Sequence, residues 1–180
     1  MTQHVATILT ALFSGGFVIL GVVLTNRHNL KQLRLQHENE RVKESRDLLR
    51  QRGEELYELV AQWIDGITSV YLHRNILMQG KITLDECVEL DKKYLSKTKN
   101  DYDRLVMLIE VYFPEVRSVY DEVINARSEI NAISIAFEKR YRSGQTDGST
   151  FIQSYVKAQI EFEQVSDHLK YEIIKAIREI

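Results

Sequence analysis

Five histidines, one cysteine and nine tyrosines are the residues of this chain best suited to chemistry, and their spacing argues against such a use. A carboxylate-bridged di-metal centre built on helices needs two Glu-x-x-His pairs. Three residues before His4, His28, His37, His73 and His168 stand Met1, Thr25, Arg34, Val70 and Val165, so no such pair exists. His37-Glu38 lacks the second histidine of a zinc-protease helix. His168 and Glu172 are four apart on one helical face, the spacing of a surface pair. Cys87 falls on the apolar side of its segment and reads as a buried structural thiol. Most tyrosines lie on or beside apolar stripes, where a ring fills a core and its hydroxyl stays wet. The Ser143–Ser149 loop has glycines without the Lys-Ser/Thr of a phosphate loop, and no nucleophile elbow occurs. The expectation is a protein with no catalytic residue, no metal and no cofactor: not an enzyme.

Charge is the second source of chemistry. The net value of −2 hides an asymmetry. Residues 27–52 hold eight Lys/Arg against four Asp/Glu, while residues 53–180 hold sixteen against twenty-two. The larger part is acidic, which argues against nucleic acid as a partner. The bases Arg27, Lys31 and Arg34 directly follow Val5–Thr25, a run of 21 residues without a charge. As a helix at about 1.5 Å per residue that run reaches roughly 31 Å, the thickness of a bilayer core. The N-terminal flank is uncharged and the following flank basic, which predicts a single-pass inner (plasma) membrane protein with its N-terminus out and its C-terminal domain cytoplasmic. Arg27, Lys31 and Arg34 would meet anionic lipid. Thr7, Ala11 and Gly15 recur every four residues, a small-residue stripe suited to packing two such helices and so to a homo-oligomer.

The elements that would carry these residues are helical throughout. One proline and eight glycines are too few turn formers for a sheet protein of 180 residues. Three parts follow: a transmembrane anchor over 1–26, a basic helical stem over 27–48, and a helical domain over 49–180. From Gln36 to Asp47 the only apolar residue is Val42, so the stem has no stripe to bury and no coiled-coil seam. From Leu49 the pattern changes to alternating three- and four-residue spacings. The stripes run through Leu56, Leu59, Trp63, Val70 and His73; through Leu84, Val88, Asp91, Tyr102, Leu105 and Ile109; through Val116, Tyr120, Val123 and Ile130; and through Ile152, Tyr155, Phe162, Leu169 and Ile173. Gly80 stops the first, Thr83 and Glu86 form a capping box for the second, Pro114 separates second from third, and Ser149 or Thr150 caps the fourth. Helices over about 50–79, 83–113, 114–142 and 150–180 with short connections predict an all-α, antiparallel four-helix bundle with Trp63 in its core.

Gly15-Gly16, Gly21 and Thr25-Asn26 ahead of a Lys/Arg-rich stem, together with the turn Leu108-Ile109-Glu110-Val111-Tyr112-Phe113-Pro114-Glu115, give a resemblance. The chain resembles small bacterial proteins with an N-terminal membrane anchor and a cytoplasmic helical bundle. That likeness implies a bacterial or phage-related origin and no activity. The functional expectation is a membrane-anchored protein–protein interaction or scaffold module, with membrane lipid and another protein as partners. Its alternative is a membrane-acting effector or sensor subunit of a bacterial stress or antiphage defence system.

Overall fold

The computed structural model describes the backbone of residues 2–180 and the side chains of residues 25–27, 29–93 and 102–180. The protein is all-α, with no strand among the described residues. Its elements are α1 (Thr2–Met78), α2 (Leu84–Tyr112), a 3₁₀ turn (Pro114–Val116), α3 (Arg117–Arg142) and α4 (Ser149–Arg178). The chain divides into two compact units, Met1–Asp47 and Leu48–Ile180.

In the first unit every described side chain is exposed, including Leu30, Leu33 and Leu35 at about half their surface each. Charges recur every turn at Arg27, Lys31, Arg34, Glu38 and Arg41, which leaves no apolar window. Among the described residues no helix is long and apolar enough to cross a membrane. That finding corrects the assignment of the chain to the inner membrane as a single-pass protein with a cytoplasmic C-terminal domain. The run Val5–Thr25 on which the assignment rested lies, apart from Thr25, outside the residues whose side chains are described.

The second unit closes one hydrophobic core from segments of all four helices. The helix ends follow local chemistry. Gly80 takes φ +70°, the left-handed conformation in which a helix C-terminus is most easily closed. Thr83 caps α2 in a complete capping box with Glu86. At the other end the Phe113 N–H bonds back to the carbonyls of Leu108 and Ile109, and Pro114 starts the 3₁₀ turn. α2 is a single helix, and the proline opens that short turn before α3 instead of α3 itself.

The cap of α4 differs from expectation. Neither Ser149 nor Thr150 caps it: Gly148 holds that position, and the Asp147 carboxylate accepts the Ser149 N–H at 3.0 Å. Packing explains the choice. A Cβ on Gly148 would lie 2.5 Å from the Met78 carbonyl oxygen and 2.7 Å from its Cα, so only glycine fits against the end of α1. Gly53 answers at the far end, where a Cβ would collide with Ile177 and sit 3.1 Å from Phe113. Gly53 beside Ile177 and Met78 beside Gly148 make α1 and α4 antiparallel; Glu55–Arg104 and His73–Asp91 do the same for α1 and α2.

Candidate interaction site

Two polar constructions occupy the core unit, one closed and one open. The closed one joins three helices. Asp91 of α2 is 5% exposed, and its Oδ1 lies 3.2 Å from His73 Nδ1 while its Oδ2 meets Arg74 Nη2 at 3.0 Å. The second Arg74 amine reaches Glu138 Oε2 of α3 at 3.1 Å, and Glu138 also accepts from Arg142 at 2.7 Å. The Arg142 guanidinium, with Arg74 behind it, holds the Glu138 carboxyl below its usual range. One residue along, the Asn75 amide donates to Gln159 of α4 at 3.2 Å. Charges this far from water survive only when each is answered, and here each carboxylate has a guanidinium. Cys87 lies in the same region, and burial pushes its thiol up to about 11, far from the thiolate that nucleophilic chemistry would use. The arrangement ties helices together and offers no open face.

The open construction lies between α2 and α3. Trp63 of α1 packs against Tyr102 with ring centroids 5.8 Å apart and against Tyr120 at 6.1 Å. The two phenols meet at 2.6 Å, oxygen to oxygen. Burial, then the bond to Tyr102, raises the pKa of Tyr120 well above its ordinary value, so the Tyr120 phenol stays protonated. Guanidinium groups stack on this cluster from outside: Arg127 sits 5.9 Å over Trp63 and Arg117 sits 5.7 Å over Tyr120. Beside the tyrosines opens a groove of about 450 Å³, with Val106, Met107 and Ile124 as its apolar lining and Asp103, Glu110, Arg117 and Asp121 as its charged rim. Arg117 bars the rim, bonded to Glu110 at 2.9 Å and to Asp121 at 3.0 Å. The volume falls within the roughly 300–1,000 Å³ of ordinary binding pockets.

The sequence-derived sites fare unequally. Thr7, Ala11 and Gly15 lie outside the described residues. Arg27, Lys31 and Arg34 are exposed on the first unit. His168, exposed, and Glu172, partly buried, form a pair at 3.8 Å. No group of three or more His, Cys, Asp or Glu among the described residues is placed to hold a metal. The sequence placed Tyr102, Tyr120, His73 and Asp91 on inward stripes but paired none of them. The rim pair Arg117 and Asp121 went unnoticed, although its four-residue spacing is visible in the chain. Known protein families, curated proteins and solved structures, compared with this chain, yield no match to it.

Proposed function

We propose that residues 48–180 form an antiparallel four-helix bundle that works by binding another protein, as a scaffold or accessory module, and not by turning over a substrate. The α2–α3 groove carries this reading. Interface centres are enriched in tyrosine, tryptophan, methionine and arginine, with apolar surface inside and a polar rim outside. The groove supplies that set in one place: Tyr102, Tyr120 and Met107 inside, Arg117 at the rim, and Trp63 stacked behind. The catalytic alternative finds nothing to use here, because the two phenols are bonded to each other and Tyr120 is held protonated.

A photo-crosslinking amino acid at position 103, on the rim of the groove, tests the reading in living cells against the same residue at exposed position 139. A discrete adduct from 103 alone, lost when Met107→Gln is added, is the expected result. Mass spectrometry of the adduct distinguishes a different protein from a second copy of this chain. Adducts from both positions, or from neither, would remove the groove as an interaction site.

A further inference from the structure

The rim of the groove says more than that a protein docks there. Resting on the interaction reading above, we infer that its occupant is a basic segment of a partner protein, one that presents leucine-like side chains flanked by Lys or Arg. Three carboxylates, Asp103, Glu110 and Asp121, face one guanidinium, Arg117. That guanidinium is already engaged, with Glu110 at 2.9 Å and Asp121 at 3.0 Å, so it does not present a free cation to an acidic ligand. Asp103 is exposed at the rim. An acidic segment or a phosphate backbone would meet carboxylates on both walls, whereas a basic one completes the charge pattern. The lining sets the other half of the specificity. Val106, Met107 and Ile124 are each partly buried and offer aliphatic surface, and methionine adapts its shape to what enters. The tyrosine hydroxyls bond to each other at 2.6 Å, one donating and one accepting, so the floor meets an apolar side chain largely with ring surface. The surrounding unit reinforces the sign, since residues 48–180 hold eighteen bases against twenty-two acids.

The chain has a built-in reporter. Trp63 is its only tryptophan and packs 5.8 Å from Tyr102, directly behind the groove. Three tryptophan-free synthetic peptides serve as probes of the purified full-length chain: a basic one of leucines and Lys/Arg, the same peptide with every Lys/Arg as Glu, and the basic one with every Leu as Ser. Trp63 emission should change saturably with the first and stay unchanged with the other two. Higher salt should weaken the binding, as it does between opposite surface charges, and Asp103→Lys should weaken it about tenfold. Glu161→Lys makes the same charge change on exposed α4 and should leave the affinity alone. Equal weakening by both substitutions, or binding of the Glu peptide, overturns the inference. If the crosslinker at 103 captures a partner while the basic peptide leaves Trp63 unaltered, the assigned partner chemistry is wrong and the interaction reading survives. If neither responds, both fall.

Discussion

Trp63 shows how one side chain can serve two constructions at once, filling the core while backing the groove. Trp63→Ala should cost about 3–5 kcal/mol, the loss seen when a large buried ring leaves a cavity, measured as a shift in denaturation midpoint. An unchanged midpoint would mean that the ring is not packed as described. Asp91 makes a different kind of contribution. Asp91→Leu removes the carboxylate shared by His73 and one Arg74 amine, and should cost about 3 kcal/mol, the lower end for breaking a buried ion pair. The lower end applies because Arg74 keeps Glu138 at 3.1 Å. A variant as stable as the parent would show that solvent already screens the pair. Glu55 links stability to pH. Hydrogen bonds from Arg104 and then Arg52 bring its pKa from 4.5 down to about 2. The folded state therefore prefers the carboxylate, so this contribution is complete above about 4.5 and drains away as the pH falls towards 2. Stability measured across that window should slope less steeply in Glu55→Gln; parallel slopes would assign the acid sensitivity to other groups.

At the scale of elements, the ends of helices were easier to read than the contacts between them. Gly80, Thr83 with Glu86, and Pro114 act on their own backbone within a turn, so the residue type alone announces the event. Gly148 does not. It is glycine because Met78, seventy residues away, comes too close for a Cβ, and no local pattern encodes that distance. The same limit hid the polar layer and the groove. Periodicity put His73 and Asp91, or Tyr102 and Tyr120, on inward faces, but which face meets which is settled only when helices pack. Arg74 stood one position off its stripe and drew no notice, yet its long arm reaches both Asp91 and Glu138. Gly148→Ala tests the close approach. The new methyl meets backbone, which cannot swing aside, and overpacking of this kind should cost about 1–3 kcal/mol. Thermal melting reads it directly, and a variant with an unaltered melting temperature would show that the junction can spread without loss.

For the molecule as a whole, the core of Leu48–Ile180 draws on segments of all four helices, and its buried apolar residues run from Leu56 to Ala176. Residues 48–180 expressed alone should give a helical circular dichroism spectrum and one cooperative transition; a coil spectrum would show that the first unit is required for folding. Cys87 gives the complete molecule a further property. It is the only sulfhydryl in the chain, it is fully buried, and burial pushes its pKa up to about 11, which keeps it in the unreactive form at neutral pH. Alkylating reagents can reach it only when the helices around it part. The rate of alkylation thus becomes a clock for spontaneous opening, with no second thiol to blur it. A cysteine introduced anywhere on the surface can then be labelled in minutes while the native one waits, so dyes and spin probes can be placed without first deleting Cys87.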